Sequence, residues 1–279
     1  MTALIRRGAA VLGLIGLTLM LALPVRAANR ADLEQFLEVT GFDVALESIR
    51  LSASSAPQML GIEARDFGSE WTRLVEEVFD TDLMHDMAND ILAETLSEDL
   101  LTHAVDFYGS DLGERLVVAE NQSHMIEEDG LKSESGEAIV AGLVRLGLPR
   151  LDHLKRLNAA SGSTDASIRA IHEVQVRFLL AAAGAGVIEL RMDEADLREA
   201  LRAQEGDLRR SLQASGLAAS AYTYQAFSDD EIVAYAEALE KPKMQQVYEL
   251  MNAVQYEIMA NRYEAVARRL QSMQPSQDL

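Results

Sequence analysis

The side chains best suited to bind a transition metal are histidines, and in this chain they lie far apart. The five are His85, His103, His124, His153 and His172. Residues three or four apart on a helix share a face, so His103 can meet Asp106 and His85 can meet Asn89. No HExxH or CxxC motif adds the further ligands that a metal site needs. We interpret His103 as a surface or edge residue, and no metal-binding residue is predicted.

The acidic residues after His124 are a second candidate for cation binding. Glu127, Glu128 and Asp129 are adjacent, and carboxylates suit a hard cation such as Ca²⁺. An EF-hand loop places a ligand at every second position, and that spacing is missing here. The favoured interpretation is the acidic end of a helix that enters a loop.

Motifs for nucleophilic catalysis and nucleotide binding are incomplete. The segment NAASGSTDAS, residues 158–167, contains Ser and Asp but no G-x-S-x-G elbow. The segment AAAGAGVIEL, residues 181–190, lacks the third glycine of a dinucleotide-binding turn. Trp71 and a set of tyrosines are typical of a hydrophobic core. Those tyrosines are Tyr222, Tyr224, Tyr235, Tyr248, Tyr256 and Tyr263. The sequence therefore predicts no catalytic residue and no cofactor.

The first 27 residues have the order of a secretory signal peptide. Arg6 and Arg7 precede an uncharged stretch, which ends at Pro24 and the small-residue pattern Val25-Arg26-Ala27. This order predicts cleavage after Ala27 and a periplasmic protein. The alternative is an uncleaved membrane anchor, because residues 8–25 carry no charge. Pro24 and the cleavage pattern favour the signal peptide.

Composition limits the classes of partner. The formal net charge is -20 and the chain has no cysteine, so neither a disulfide nor a lipid-modified N-terminal cysteine is expected. An acidic surface repels nucleic acid and anionic lipid, which excludes nucleic acid as a partner and disfavours peripheral membrane binding. The acidity serves solubility or attracts basic partners. We expect two helical halves, residues 28–147 and 148–279.

Apolar residues recur three and four apart in most of the chain, which predicts an all-α fold. The first helix is expected to end at Gly41, and a second to span Val44 to Met59. Two polar, glycine-bearing segments are predicted loops, residues 127–138 and 158–167. Residues 193–215 are predicted as a surface helix that is interrupted or weakened at Gly206.

The stretch SEDLLTHAVDFYGSDLGERL, residues 97–116, is predicted to form the corner of a helical hairpin. Ser97 caps the first helix, and Gly109 ends it in a left-handed conformation. Ser110 then caps a second helix that begins at Asp111. The alternative is one helix that runs straight through the segment.

A shift of 131 residues aligns this corner with a second one. Ser228 and Glu231 have the spacing of a capping box, and Pro242 aligns with Asp111 at the first position of the following helix. The sequence therefore predicts an array of helical hairpins in two related halves. The alternative is a coincidence between two amphipathic helices.

The first corner resembles a family of exported bacterial proteins, domain of unknown function 2059. That family carries a capped acidic helix, then Phe-Tyr-x-Ser-Pro-x-Gly and a basic residue. The matching residues are Phe107, Tyr108, Ser110, Gly113 and Arg115. Asp111 replaces the family's Pro; Pro242 restores it in the second corner, where Ala238, Leu239 and Lys241 depart from the pattern. The resemblance implies an exported helical protein and no catalytic residues.

Two functions are weighed on this basis. The leading hypothesis is a non-enzymatic envelope protein that binds another protein or an apolar ligand, because the sequence predicts helices but shows no set of catalytic side chains. The alternative is a hydrolase that uses carboxylates from different helices. Two buried acids in one cleft would favour the hydrolase, and an elongated apolar groove would favour binding.

Overall fold

The fold was derived from a computed structural model, which describes residues 29–53, 56–60, 69–126, 129–162 and 164–273. All regular elements in these ranges are helices, which confirms the predicted all-α class. They are α1 (Arg30–Thr40), α2 (Phe42–Ser52), α3 (Ala56–Met59), α4 (Ser69–Val78), α5 (Thr81–Thr95), α6 (Glu98–Tyr108), α7 (Asp111–His124), α8 (Asp129–Leu146), α9 (Arg150–Ser161), α10 (Thr164–Gly184), α11 (Glu194–Ala203), α12 (Glu205–Thr223), α13 (Asp229–Leu239) and α14 (Pro242–Met273).

The predicted signal peptide, residues 1–27, lies outside the described residues, so its cleavage stays a prediction. Within the described ranges, none of the helices combines the length and the apolar character needed to cross a bilayer.

The longest helix, α14, joins the two ends of the fold. Its 32 residues pack against α10 on one side and against α4, α5 and α6 on the other. Buried side chains from Leu33 in α1 to Leu270 in α14 belong to one hydrophobic cluster. Helices of both predicted halves therefore share a core, and the boundary at residues 147 and 148 stays a prediction.

Both predicted corners are present where the sequence placed them. Ser97 accepts a hydrogen bond from the Leu100 amide at the start of α6, and Ser110 accepts one from the Gly113 amide at the start of α7. The chain stops and restarts its helix at Gly109 and Ser110. The straight-helix alternative is therefore wrong.

The second corner has the predicted capping box. The Ser228 hydroxyl accepts from the Glu231 amide, and the Glu231 carboxylate accepts from the Ser228 amide at 2.8 Å. Pro242 is the first residue of α14. The bounds of α6 and α13 coincide under the shift of 131 residues. A relation between the two halves stays a prediction.

The conformation predicted for Gly109 is wrong. Its φ angle is -79°, a value that every residue type adopts. Ser110, the next residue, is already the N-cap of α7, so the chain needs no left-handed residue to end α6. The left-handed C-cap occurs instead at Gly41, with φ of 69°. The predicted end of the first helix at Gly41 is confirmed.

The predicted loop at residues 127–138 is also wrong, because α8 runs through nearly all of it. The structure describes this segment from Asp129 onward, and Gly136 lies inside the helix. A Cβ atom built on Gly136 would lie 2.2 Å from the Ala218 carbonyl oxygen of α12. The glycine therefore serves a close helix contact, which a local sequence pattern cannot distinguish from a loop.

Other boundaries differ in smaller ways. The predicted loop at residues 158–167 shrinks to the junction between α9 and α10, because α9 continues to Ser161 and α10 begins at Thr164. The predicted helix at residues 193–215 is interrupted at Gln204, two positions before Gly206. The predicted helix from Val44 to Met59 is divided into α2 and α3.

Candidate functional site

Three tyrosine hydroxyls meet beneath the two corners. Tyr108 is the last residue of α6, Tyr235 lies on α13 and Tyr248 lies on α14. The Tyr108 oxygen is 2.5 Å from that of Tyr248 and 3.1 Å from that of Tyr235, and the Tyr235 and Tyr248 oxygens are 2.8 Å apart. We refer to Tyr108, Tyr235 and Tyr248 as the tyrosine cluster.

The tyrosine cluster is hydrogen-bonded to a carboxylate, that of Glu120 in α7. The Tyr235 hydroxyl donates to Glu120 Oε1 at 2.9 Å, and Tyr224, at the end of α12, donates to the same oxygen at 2.7 Å. Both tyrosine protons therefore converge on one oxygen of the carboxylate. No described residue donates to Glu120 Oε2, and none forms an ion pair with Glu120.

The number of available protons gives the network a direction. A tyrosine hydroxyl has one proton to donate, and Tyr235 donates its proton to Glu120. Tyr248 is then the donor to Tyr235, and Tyr108 is the donor to Tyr248. The chain of hydrogen bonds runs from Tyr108 to the Glu120 carboxylate, with every hydroxyl proton used.

Neighbouring contacts fix the position of the tyrosines. Arg150 donates to the Tyr224 carbonyl at 2.7 Å and to Asp229 at 2.6 Å, which ties the end of α12 to the start of α13. The Phe107 ring stacks on the Tyr235 ring with centroids 5.8 Å apart. Tyr108 and Tyr235 are almost completely buried. The hydroxyl positions are therefore set by packing and not by flexible surface side chains.

Burial dominates the electrostatics of this group. Removal from water raises the pKa of the Glu120 carboxyl above its ordinary value, and hydrogen bonds from Tyr224 and Tyr235 partly counteract this shift. Burial likewise raises the pKa of Tyr108, Tyr224 and Tyr235 well above the ordinary value. The tyrosines are therefore neutral donors, and desolvation disfavours the ionised form of Glu120.

The carboxylate of Glu120 lines a cavity of about 320 Å³, which we call the Glu120 cavity. Several of its polar groups are already paired: Thr223 donates to Ser123 at 2.8 Å, and Lys132 Nζ donates to the Ser123 carbonyl at 2.8 Å. The Asn121 Oδ1 atom, by contrast, is buried without a hydrogen-bond partner in the described structure. Two acceptors near the cavity therefore have no donor among the described residues: Glu120 Oε2, and Asn121 Oδ1, which is buried in the cavity wall.

The histidine and acidic candidates for cation binding do not converge. In the part of the chain that the structure describes, no group of three His, Asp or Glu side chains could hold a metal ion. His103 lies on α6 with its Nε2 atom buried and without a partner. His85 lies 3.2 Å from the Asp43 carbonyl oxygen. Glu127 and Glu128 are outside the described residues.

The corner residues build the scaffold around the cluster. A Cβ atom on Gly113 would lie 2.3 Å from the Phe107 carbonyl oxygen, so a glycine is needed where α7 crosses the end of α6. Arg115 forms an ion pair with Glu231 at 2.5 Å, and its guanidinium lies 5.5 Å from the Phe227 ring centroid. That ion pair, with hydrogen bonds from Ser228, lowers the pKa of Glu231 to about 2.

The two corners contact each other reciprocally. Arg115, early in α7, pairs with Glu231 in the first turn of α13. Lys243, early in α14, pairs with Asp99 in the first turn of α6 at 2.6 Å. Each corner therefore places a basic side chain beside the acidic first turn of the other corner. The two ion pairs tie together the helices that carry the tyrosine cluster.

The first corner and the carboxylate lie in one matched segment. Residues 82–141 match domain of unknown function 2059, an uncharacterized protein conserved in bacteria. No curated protein and no solved structure matches the chain. The matched segment contains Tyr108, Glu120 and Asn121, and the rest of the chain supplies Tyr224, Tyr235 and Tyr248.

Sequence reasoning found Tyr108 as a corner residue and missed the polar partners that it meets. Tyr224, Tyr235 and Tyr248 were assigned to the core, and Glu120 and Asn121 were not selected. One signal for Glu120 was present in the sequence. Glu120 follows Leu116 and Val117 by four and three positions, so it lies on the buried stripe of α7, where a carboxylate is unexpected.

Proposed function

We propose that the protein is an exported binding module whose Glu120 cavity holds a small molecule with an ammonium group. The observation that carries the proposal is a partly buried, desolvated carboxylate without a cationic partner among the described residues. Buried charges in proteins are normally paired. A ligand that brings the missing cation would supply the pairing that the protein lacks.

The remaining hydrogen-bonding capacity supports this ligand class. An ammonium group carries three donors and no acceptor. Glu120 Oε2 and Asn121 Oδ1 are acceptors without donors in the described structure. Charge-assisted hydrogen bonds of this kind are stronger than neutral ones. A volume of about 320 Å³ lies within the range of small-molecule sites.

The hydrolase alternative is less well supported by this cavity. That hypothesis needs two carboxylates from different helices, and Glu120 is the one carboxylate among the described residues that line the cavity. A single carboxylate beside neutral hydroxyl donors is suited to hold a cation. The hydrolase, and a protein partner in the envelope, stay hypotheses.

Calorimetric titration with butylammonium chloride tests the binding proposal, and 1-butanol is the neutral control of equal size. We expect butylammonium to bind and 1-butanol to bind at least about tenfold more weakly, because one charge-assisted hydrogen bond corresponds to about that factor. Glu120→Gln keeps the side-chain shape and the acceptor for both tyrosines, and it should lose the preference. Equal binding of both compounds by the wild type would refute the proposal.

The exported location rests on the order of charged, apolar and small residues at positions 1–27. Intact-mass analysis of the protein after expression in a bacterial host tests it. The expected product begins near Ala28 and is recovered from the periplasmic fraction. A full-length product extracted from membranes would instead identify the segment as an anchor.

A further inference from the structure

A second cavity lies between α10 and α14, on the other side of Tyr248. It has a volume of about 560 Å³, and we call it the α10–α14 groove. Small apolar side chains line it, Ala160 from α9 and the others from α10 and α14: Ala166, Ala170, Val174, Ala253 and Ala260. Short side chains leave the space between two helices that otherwise pack closely along their length.

Three of the charged residues that line this groove, Arg177, Glu257 and Glu173, form ion pairs. Arg177 donates to Glu264 at 2.5 Å and to Glu257 at 2.8 Å, and Arg198 forms an ion pair with Glu173 at 2.8 Å. Arg169 and Glu249 also line the groove and form no ion pair with a described residue, so charged groups lie beside the apolar lining. An apolar group that fills it would gain about 25 cal/mol for each Å² removed from water.

The groove and the Glu120 cavity have two lining residues in common. Tyr248 and Asn252 line both. A third cavity, of about 710 Å³, shares Ser220 with the Glu120 cavity and Tyr256 with the groove, and Asn252 lines this one as well. Asn252 therefore borders all three spaces, of which one contains the Glu120 carboxylate and another has the mostly apolar lining between α10 and α14.

We propose that the ligand is a cationic amphiphile, with its ammonium group at Glu120 and its alkyl chain in the α10–α14 groove. This inference rests on the proposed function and names the rest of the ligand. A polar acceptor site and an apolar groove that share Tyr248 and Asn252 fit the two ends of one such molecule. Neither an inorganic cation nor a neutral alkane would satisfy both.

Calorimetric titration with butyl-, hexyl- and octylammonium chloride measures the contribution of the chain. Because a buried methylene contributes a nearly constant free energy, affinity should rise by up to about fourfold for each methylene added. Ala170→Phe fills the groove and should flatten the dependence of affinity on chain length. Ala141→Phe makes the same change at an exposed position of α8 and should leave the whole series unchanged.

A second groove variant controls for the possibility that Ala170→Phe misfolds. Ala166 is exposed and lines the same groove, so Ala166→Phe should also flatten the series in a protein with unaltered helix content. Butylammonium binding with no dependence on chain length in the wild type would overturn the amphiphile inference and leave the proposed function standing. Octylammonium binding no tighter than 1-octanol, in wild type and Glu120→Gln alike, would overturn the proposed function itself.

Discussion

Tyr235 donates its hydroxyl proton to Glu120 across 2.9 Å and so links α13 to α7. The same Tyr235 oxygen lies within hydrogen-bond distance of Tyr108 and Tyr248. Tyr235 is therefore the branch point at which the tyrosine cluster meets the carboxylate, and Tyr108 is the terminal donor.

This order predicts unequal effects of removing one hydroxyl. Tyr108→Phe removes one hydrogen bond, and every remaining hydroxyl proton still has an acceptor. The free energy of unfolding should therefore fall by about 1 kcal/mol. Tyr235→Phe removes a donor to Glu120 and the acceptor of Tyr248, and should cost about 2 to 4 kcal/mol. Urea unfolding of both variants measures the difference. Equal losses would show that the hydrogen bonds do not run in this direction.

The pH dependence of stability should reveal the buried carboxyl. The pKa of Glu120 is raised in the folded protein above its ordinary value of 4.5, so the folded state binds the proton more tightly than the unfolded chain does. The contribution of Glu120 to stability is then most favourable below the ordinary pKa and is lost as pH rises through the folded pKa. Above the folded pKa the ionised group lowers stability.

Glu120→Gln isolates that contribution because the amide does not titrate. Relative to this variant, the wild type should lose free energy of unfolding as pH rises from the ordinary pKa of 4.5 through the raised folded pKa, and the variant should be the more stable one above it. Urea unfolding across this range measures it. A difference that is independent of pH would mean that the Glu120 pKa is the same in the folded and unfolded states.

Two glycines of α8 form a matched pair for testing close helix packing. Gly136→Ala would drive a Cβ atom into the Ala218 carbonyl and should destabilise by about 1 to 3 kcal/mol. Gly142→Ala meets no atom within 4 Å and should stabilise by about 0.5 to 1 kcal/mol, because alanine favours the helix. Thermal unfolding distinguishes them, and a stabilising Gly136→Ala would refute the close contact with α12.

The first corner should accept the proline that the second one has. Asp111 is the first residue of α7, and Ser110 before it has φ of -81° and ψ of 161°, which suits a residue that precedes proline. Asp111→Pro should therefore be neutral or stabilise by up to about 1 kcal/mol. Ala104→Pro, inside α6, should cost about 3 kcal/mol or more. Denaturant unfolding tests the pair, and similar damage from both would argue against the corner.

The predicted features that the structure confirms depend on local chemistry. Ser97, Ser110 and Ser228 cap helices through amides only a few residues away, so short spacing was enough to place α6, α7 and α13. Gly136 was misread because its purpose is set by Ala218 of another helix. The site was not predicted because its contacts also depend on helices that are distant in sequence. Glu120 contacts Tyr224 and Tyr235 only after α12 and α13 pack beside α7.

The central claim is that Glu120 is a partly buried, ionisable carboxylate whose free oxygen binds a cation. NMR titration of the Glu120 side-chain carboxyl, assigned by its absence in Glu120→Gln, measures its pKa without ligand and with saturating butylammonium chloride. We expect a pKa above the ordinary value of 4.5 in the free protein and a lower one in the complex, because a bound cation favours the ionised form. A Glu120 pKa that butylammonium leaves unchanged would contradict the account.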